Sequence, residues 1–497
     1  MQQRLYKTVI GMEIHARVLS KTKLFSRAPV AAIDAAPNTT ISGFDLSLPG
    51  TLPVLNKYCV DQSIKAGLAL NGDISPVCLF ERKHYFYHDC PSGYQITQSR
   101  YPIMKNGQLF VLPPANKSQK RNSFHPFQVN IKQIQLEQDT GKSFYDENGY
   151  SLIDLNRAGA PLMEIVTTPC IHGASEASSF LSALQNLLQI IGVSEAKPEN
   201  GSLRADINVN VVSEDNTIAS PIVELKNLNS IHIIEDAIHY EVDRQIDALE
   251  HNIPLYKETR SYNPELKETF VLRKKENAYD YRIFPDPDVR PLKITQDRIQ
   301  SIQSTLPELP ASLYLRLQKQ YKLSEYESAV LINEIGSVPY FESVCKNIKN
   351  PTLAWNWICN ELFAYLRTFN IPFANNPVSA ENLRQIIINL ENNKINGPMA
   401  KSILKQVWET KRNTEDIIKE NNFNMNTNQE EIQSLCDTLF TTTLKNNKSF
   451  LNQHFTGDNR VLPWLVGQIL KETKGKCNPN DIKQIFETKL NSLKQQS

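Results

Sequence analysis

The chain lacks the usual marks of a membrane, secreted or zinc-binding protein. Its 8 cysteines are scattered with no C-x-x-C pair, which fits reduced thiols better than disulfides or a zinc site. No apolar run approaches the ~18 residues of a membrane span. Patterned sequence begins at Thr8, which leaves no room for a signal or transit peptide. We therefore expect a soluble chain in the cytoplasm, without zinc and without a membrane partner.

Two motifs of common enzyme classes are also missing. The string from Thr140 to Ser143, TGKS, is similar to the end of a phosphate-binding loop, but Leu136 stands where that loop needs its first glycine. No Gly-x-Ser-x-Gly elbow is present. These absences exclude a P-loop nucleotide-binding protein and an esterase-type hydrolase, and a tight hairpin turn explains the TGKS string.

Net charge gives no information about partners. The chain has Lys+Arg 54 against Asp+Glu 53, a net charge of +1, so any nucleic-acid surface must be local. A length of 497 residues corresponds to about three domains of ~150 residues. Proline-rich sequence at 279–291 marks one edge, and helical periodicity dominates after it. We predict domains at 1–293, 294–405 and 406–497, with an α+β first domain followed by all-α domains.

An alternating segment near the start, residues 8–18, contains the first candidate site residues. Its apolar side chains share one parity, while Glu13 and His15 share the other, as in a strand with one buried face. Two strand residues advance about 7 Å, so both groups can reach one ion or two neighbouring ions. A charged pair on the surface of an edge strand is the commoner explanation of this spacing by itself.

Two further acids lie on predicted strands. Glu137 alternates with apolar residues before the TGKS turn, and Glu164 stands between Leu162 and Val166 on one strand face. An acid among apolar neighbours needs an ion or a partner. Three carboxylates and one imidazole, with Glu13 and His15, suit Mg²⁺ bridging a nucleotide phosphate.

Two other stretches could line a ligand pocket. Residues 80–98 mix basic and aromatic side chains, among them Lys83, Tyr85, Tyr94 and the adjacent Gln95, which suits stacking with a nucleotide or an RNA end. Tyrosines buried on a sheet explain the same pattern. The strand at 202–211 sets polar residues, including Arg204 and Asp206, opposite an apolar face, and such a ladder is solvated by default.

Two further stretches of the chain are polar or basic. Residues 108–126 contain a Pro-Pro pair and a basic cluster, and predict an exposed loop or a long hairpin turn. Near the end of the chain Lys471, Lys474 and Lys476 form a basic cluster in a helical region. These lysines suit phosphate contacts with RNA, and a solvated lysine face is the alternative.

Many strings in order resemble the family of the B subunit of the glutamyl/aspartyl-tRNA amidotransferase. They include GMEIHARVLSKTKLFS, LEQDTGKS, DLNRAGAPLMEIVTTP, GSLRADINVNV, ELKNLNSI and DYRIFPDPD, and the likeness covers nearly the whole chain. The resemblance implies a mixed or antiparallel catalytic cradle related in fold to glutamine synthetase, then a helical domain and a helical tail that contacts tRNA.

The resemblance also implies a reaction and its partners. ATP phosphorylates the side-chain carboxylate of Glu on tRNA(Gln), or of Asp on tRNA(Asn), and ammonia then displaces phosphate to give the amide. The family's ammonia comes from an amidase, the A subunit, and a small C subunit completes a heterotrimer.

The resemblance assigns roles to residues by motif position. Mg²⁺ binding and catalysis are implied for Glu13, His15, Glu137 and Glu164. Positions implied to line the ATP or acceptor pocket, or else to brace the cradle, are Arg204, Asp206, Lys226, Asn229, Arg260 and Arg282.

Two departures from the family pattern bear on these roles. Where many members carry the cysteines of a zinc knuckle, this chain has Ser26, Ala28, Ser42 and Asp45. The family's E-E-D string has Gln138 in its middle position, so one acid is lost.

Two other functions use similar residues. A tRNA-binding scaffold without chemistry is compatible with the acid lost at Gln138, and it would bind no Mg²⁺-ATP. A metal-dependent nuclease also uses clustered carboxylates, and it would degrade the tRNA that it binds.

Overall fold

The structure is a computed structural model in which the chain forms two compact units, residues 1–316 and 317–497. The described residues are 5–32, 34–112, 125–228, 230–274, 280–421, 423, 429–446, 460–473 and 477–495. The first unit is a mixed α/β structure, and the second is helical. The predicted α+β class is confirmed at this level, while the division into three domains and the relation to glutamine synthetase stay predictions.

The first unit is built on a nine-stranded sheet. Its strands, with those of three smaller sheets, are β1 Tyr6–Arg17, β2 Asp73–Ile74, β3 Val77–Cys78, β4 Glu81–His84, β5 Tyr94–Thr97, β6 Met104–Val111, β7 Phe127–Gln138, β8 Lys142–Tyr145, β9 Ser151–Asp154, β10 Pro161–Thr167, β11 Leu203–Ser213, β12 Val223–Leu225, β13 Glu258–Asn263, β14 Glu268–Lys274, β15 Phe284–Pro285 and β16 Leu292–Lys293. The large sheet has the order β14-β13-β12-β11-β1-β10-β7-β6-β2, and all its pairs are antiparallel except β12 with β13.

The central strands follow the alternation in the sequence. In β1, Ile10, Met12, Ile14 and Ala16 are buried in the main core. In β11, Leu203 to Val211 alternate between buried and partly exposed side chains in the same way. An antiparallel sheet with one covered face gives this period of two, because successive side chains point to opposite faces. The polar residues of both strands therefore share the opposite face.

Four helices of the first unit are α1 Lys57–Ala69, α2 Ala174–Ile190, α3 Ile231–Glu250 and α4 Gln296–Gln303. Helix α1 begins after Asn56, whose side chain accepts a hydrogen bond from the Tyr58 N–H, and α3 begins after Ser230, whose hydroxyl caps Ile233. Apolar side chains of α1, α2 and α3 join the buried side of β1 in one core. This packing leaves the polar face of the central strands for the site.

The remaining helices are α5 Pro310–Tyr321, α6 Glu325–Ile332, α7 Ser337–Val344, α8 Pro351–Asn356, α9 Phe363–Thr368, α10 Ala380–Glu391, α11 Gly397–Thr410, α12 Thr414–Glu420, α13 Gln429–Asn446, α14 Val461–Glu472 and α15 Pro479–Gln495. A π-helical turn, Trp357–Leu362, joins α8 to α9. The last three helices enclose a separate core that includes Cys436, Leu465 and Phe486. Among the described residues, no helix is both long and apolar enough to cross a membrane.

The predicted loop at 108–126 is wrong at its start. Gln108 to Val111 form the end of β6 and pair with β7, and the Gln108 N–H donates to the Leu70 carbonyl at 2.6 Å. Residues 109–111 are apolar, but the polar residues before them and the Pro-Pro pair after them hid the period of the strand. Residues 113–124 of the predicted loop lie outside the described residues.

Candidate functional site

One row of side chains crosses four neighbouring strands on the polar face of the sheet. His15 of β1 pairs with Arg204 of β11 on one side and with Glu164 of β10 on the other. Glu164 pairs in turn with Gln135 of β7. Neighbouring strands lie about 4.8 Å apart, so this register brings the four side chains into contact range. Segments far apart in sequence thus form a single site.

Three of the four predicted metal ligands meet at this row: His15 and Glu164 belong to it, and Glu137 stands two residues along β7 from Gln135. His15, Glu137 and Glu164 each offer a ligand atom, and these atoms all lie within 4.8 Å of one another. The His15 Nε2 atom is 3.6 Å from the Glu137 Oε1 atom. Glu13 is on the same face two residues along β1, outside this group, and its Oε1 accepts a hydrogen bond from Asn208 Nδ2 at 3.2 Å. The group of His15, Glu137 and Glu164 is called the acidic cluster below.

The acidic cluster has too little positive charge to balance its carboxylates. Burial and the charges of Glu137 and Glu13 together raise the pKa of Glu164 to about 8, against the opposing charge of Lys83. A divalent cation would relieve this repulsion and hold both carboxylates ionised. Two carboxylates fit Mg²⁺, which keeps waters and substrate phosphates among its ligands. The donor set therefore suits this ion.

Basic side chains border the acidic cluster in a cavity of about 340 Å³. Arg204 Nη2 lies 2.8 Å from Asp139 Oδ2, and Lys226 contacts Asp206 and lies 3.3 Å from Glu224 Oε1. The cavity is lined by His15, Lys83, Tyr85, Gln95, Glu137, Asp139, Arg204, Asp206 and Lys226, together with neighbouring residues of β10 and the segment after β12. Cations beside carboxylates give this cavity the charge pattern of a site for phosphate and metal together.

A larger cavity of about 790 Å³ adjoins the first one. Lys83, Tyr85 and Gln95 line both cavities, so the two share a wall. In the larger cavity Phe86 is 87% and Tyr87 63% exposed, so these rings are open to a ligand and are not core residues. The buried-tyrosine interpretation of this stretch is wrong for Tyr87. Exposed rings beside cations suit stacking with a base.

The DYRIFPDPD segment forms another wall of the larger cavity. Arg282 lines it, and the Lys83 ammonium lies 5.0 Å from the centre of the Tyr281 ring. Arg82 holds the segment against β4 by ion pairs to Asp286 at 2.9 Å and Asp288 at 2.8 Å. These two ion pairs hold the outer wall of the cavity in place.

Other predicted pocket residues lie elsewhere. Tyr94 pairs with His84 across β4 and β5, on the face opposite Lys83 and Gln95. It lines a third cavity of about 260 Å³, which shares Gln95 and Asp139 with the cavity of about 340 Å³. Arg260 is buried, with Nη1 2.8 Å from Glu258 Oε2 and Nε 2.9 Å from Thr269 Oγ1, so it braces the sheet edge.

Of the remaining predicted residues, Asn229, Lys474 and Lys476 lie outside the described residues. Lys471 is exposed in the last turn of α14.

Asp45, one of the four positions where the resemblance implies zinc-knuckle cysteines, belongs to a buried ion pair. The Lys23 ammonium, 0% exposed, lies 3.2 Å from Asp45 Oδ2. The Ser26 hydroxyl donates to Asp45 at 3.1 Å, and the Ser42 hydroxyl donates to it at 2.9 Å. A protein cation thus balances Asp45 directly. The absence of zinc from this chain stays a prediction.

Sequence reasoning missed two residues that contact the acidic cluster. Thr97 Oγ1 donates to Glu137 Oε2 at 2.8 Å, and Gln135 Nε2 donates to Glu164 Oε2. Strand parity offered a signal, because Gln135 shares the face of Glu137 in β7 and Thr97 shares that of Gln95 in β5. The contacts themselves depend on long-range pairing.

Carboxylates and an imidazole on rigid strands, beside a basic and aromatic cavity, are typical of enzymes that transfer groups with a divalent cation. Two family models match the chain, the GatB/GatE catalytic domain over residues 8–300 and the GatB domain over residues 339–490. The chain belongs to the GatB/GatE family of amidotransferase components, which confirms the resemblance seen in the sequence.

Relatives similar to this chain carry corresponding names. The B subunit of the aspartyl/glutamyl-tRNA(Asn/Gln) amidotransferase of Coxiella burnetii is 37% identical over 488 residues, which cover 98% of this chain and 100% of the relative. The protein of the same name from Pelagibacter ubique is 37% identical over 98% of this chain and 97% of its own length. The B subunit of the mitochondrial glutamyl-tRNA(Gln) amidotransferase of Naegleria gruberi is 38% identical over 97% of this chain and 95% of its own length.

Proposed function

We propose that this chain catalyses the ATP- and Mg²⁺-dependent amidation of Glu on tRNA(Gln), of Asp on tRNA(Asn), or of both. The acidic cluster of His15, Glu137 and Glu164 carries this proposal, because its ligand atoms lie within 4.8 Å of one another beside the two cavities. The names of the relatives supply the substrate class. The products are Gln-tRNA(Gln) and Asn-tRNA(Asn).

The reaction has two steps. An oxygen of the side-chain carboxylate attacks the γ-phosphorus of ATP, ADP leaves, and an acyl phosphate forms on the aminoacyl-tRNA. Ammonia then attacks the acyl carbon and loses a proton, and inorganic phosphate leaves as the amide forms. Phosphoryl transfer depends mainly on positioning and on charge stabilisation, which strand-borne side chains provide well.

Side chains of the two cavities have different roles: those of the larger cavity bind the nucleotide base, and those of the smaller cavity stabilise charge. The exposed rings of Phe86 and Tyr87 receive the base of the nucleotide, and Lys83, on the wall that both cavities share, faces the phosphates. Arg204 and Lys226 line the other side of the smaller cavity, where negative charge develops. When bound at the acidic cluster, Mg²⁺ supplies positive charge to the transferred group.

The names of the relatives, each the B subunit of an amidotransferase, support a complex of several subunits. The particular partners are proposed from the family resemblance. An amidase, the A subunit, produces ammonia from glutamine, and a small C subunit completes the heterotrimer in the cytoplasm. Misacylated tRNA contacts the tail through the cluster of Lys471, Lys474 and Lys476, which would act on phosphates without reading bases.

The test compares Glu13→Ala and Glu164→Ala with a matched control, Glu250→Ala, whose side chain is exposed at the end of α3. Each variant is assembled with both partner proteins. Glutamine hydrolysis should continue in all of them. Amidated tRNA should fall by about 100-fold or more for Glu13→Ala and Glu164→Ala only, since each removes a carboxylate that would hold the cation on which charge stabilisation depends. Both misacylated tRNAs are offered separately.

Three outcomes contradict the proposal in different ways. Normal amidation by both variants would refute the site. A wild-type complex that binds tRNA without ATP binding or phosphate release would be a scaffold. Cleavage of the tRNA, visible on a denaturing gel, would identify a nuclease.

A further inference from the structure

We propose that Thr97 and Gln135 are positioning residues that orient the two carboxylates of the acidic cluster for a divalent cation. The inference rests on the proposed function, since it concerns the same metal. Neither side chain lies among the ligands of the cluster, and each acts through the carboxylate that it contacts.

Thr97 fixes one oxygen of Glu137. Its side chain is 2% exposed, and its hydroxyl donates to Glu137 Oε2 at 2.8 Å. The other oxygen, Oε1, lies 3.6 Å from His15 Nε2. Because a hydroxyl donates one proton, this bond occupies a single carboxylate oxygen and leaves Oε1 on the side of the cluster. The carboxylate therefore has one held oxygen and one oxygen available to a cation.

The strand that carries Thr97 is itself tied to the strand that carries Glu137. Gln95 Nε2 donates to the Gln138 carbonyl at 2.8 Å, and the Leu136 N–H donates to Gln98 Oε1 at 3.0 Å. With the Thr97 bond, β5 and the residue after it contact three consecutive residues of β7, although the two strands belong to different sheets. These bonds prevent β5 from sliding and keep the hydroxyl under Glu137.

Gln135 holds Glu164 in the same manner from the next strand. The Gln135 side chain is 6% exposed, and its Nε2 donates to Glu164 Oε2. Its Oε1 accepts from Gln133 Nε2 at 3.2 Å, and Gln133 Nε2 also lies 3.4 Å from the Ser99 carbonyl. Since Oε1 is used as an acceptor, the amide must turn Nε2 towards Glu164.

Both donors are uncharged, and this distinguishes them from a structural ion pair. A lysine or arginine in either place would hold the carboxylate equally well but would compete with a cation for its negative charge. A neutral hydroxyl and a neutral amide orient the ligands and leave that charge to the metal. Residues that hold metal ligands in this way typically change metal affinity by about 10–100-fold when they are removed.

The experiment measures Mn²⁺ binding to the full-length chain, with Mn²⁺ as a paramagnetic probe of the divalent-cation site. Thr97→Val and Gln135→Leu keep size while removing the donor, and each should weaken Mn²⁺ binding about 10–100-fold. Thr97→Ser keeps the hydroxyl and should bind within about threefold of the wild type, since the bond to Glu137 is restored. Free Mn²⁺ is followed by electron paramagnetic resonance.

Thr167→Val is the matched control. Thr167 is also a buried threonine of the first unit, and its hydroxyl accepts from the Met12 N–H at 2.9 Å, a bond that includes no carboxylate of the acidic cluster. Loss of the Thr167 hydroxyl in this variant should lower the melting temperature as much as Thr97→Val does, and it should leave Mn²⁺ affinity unchanged. Comparison of the two variants separates a general loss of stability from an effect on the ligands.

Each outcome decides the inference. Equal Mn²⁺ affinity in the wild type, Thr97→Val and Gln135→Leu would overturn the positioning role and leave the metal site intact. Equal weakening by Thr97→Ser and Thr97→Val would also overturn it, because the hydroxyl would then be irrelevant. A wild-type chain that binds no Mn²⁺ would instead refute the metal site on which the proposed function rests. If Thr97→Val does not fold, Gln135→Leu supplies the same test.

Discussion

Glu164 is a site carboxyl group whose protonation differs between the folded and the unfolded chain. Burial, together with the charges of Glu137 and Glu13, raises its pKa from 4.5 to about 8. Between these two values the folded chain holds a proton on Glu164 that the unfolded chain has released. The folded state therefore binds more protons in this window, and stability falls as pH rises from about 4.5 to about 8.

This linkage predicts the behaviour of Glu164→Gln without metal. The amide cannot ionise, so the variant should gain melting temperature relative to the wild type as pH rises from about 5 to about 8. The measurement is a series of thermal melts in EDTA, with the exposed Glu214→Gln as control. Added Mg²⁺ should stabilise the wild type more than Glu164→Gln, because the variant has lost a ligand charge. A constant difference in melting temperature across pH would contradict the pKa shift.

The buried pair of Lys23 and Asp45 shows how a single cation can support a fold. Burial lowers the pKa of Lys23, and the charge and hydrogen bond of Asp45 partly oppose this effect. The ammonium also lies 3.4 Å from the Leu155 carbonyl, which joins the first loop to the segment after β9. Removing one partner of such a pair leaves the other charge buried.

Lys23→Met should therefore lower the free energy of unfolding by about 3–5 kcal/mol. Lys21→Met is the matched control, since Lys21 is exposed two residues away and should change stability by at most about 0.5 kcal/mol. Urea unfolding of each full-length variant gives the values. Equal stability of the two variants would show that the pair does not support the fold.

At the scale of elements, helix α1 packs closely against the end of the sheet. Gly67 lies inside this helix, and a Cβ at this position would be 2.8 Å from Ile74 Cδ1 and 3.0 Å from Met104 Cβ. Met104 begins β6, so the missing side chain of Gly67 permits the contact between α1 and the strands β2 and β6. The glycine is required by packing, because its φ is not positive.

Alanine substitutions at two glycines inside helices should change stability in opposite directions. Gly67→Ala should destabilise the chain by about 1–3 kcal/mol, since overpacking outweighs the gain in helix propensity. Gly467→Ala in α14 should stabilise it by up to about 1 kcal/mol, because a Cβ there meets no atom within 4 Å. Chemical denaturation monitored by circular dichroism measures both changes. Stabilisation by Gly67→Ala would mean that α1 does not contact the strands so closely.

Elements with a regular pattern could be predicted from sequence, and the pairing between them could not. The alternation in β1 and β11 determines which residues face the core, so the shared face of Glu13 and His15 is confirmed. The register that places Glu164 beside His15 joins strands far apart in the chain, and nothing local encodes it. Short strands such as β4 and β5 carry too few residues to show a period. The contact of Thr97 with Glu137 was hidden for both reasons, because it joins segments far apart in the chain and lies on a short strand.

At the scale of the whole molecule, the two compact units correspond to different family models. The catalytic-domain model covers residues 8–300 and the GatB domain model covers 339–490. Within the helical unit, α13, α14 and α15 enclose their own core, whose buried apolar residues run from Ile432 to Leu490. A self-contained core of this kind can be altered on its surface without disturbing the acidic cluster.

Binding of tRNA should be separable from binding of metal and nucleotide. Substituting Lys471, Lys474 and Lys476 together by glutamine should weaken tRNA binding and lower its salt dependence, since fewer counterions are released from the phosphates. Lys483→Gln is the control, because Lys483 already lies 3.7 Å from Glu487. Filter binding of tRNA at several salt concentrations is compared with ATP binding, which should not change. Removing residues from 422 onward should weaken tRNA binding further and should also leave ATP binding unchanged. Unchanged tRNA affinity in the triple variant would show that these lysines form only a solvated face.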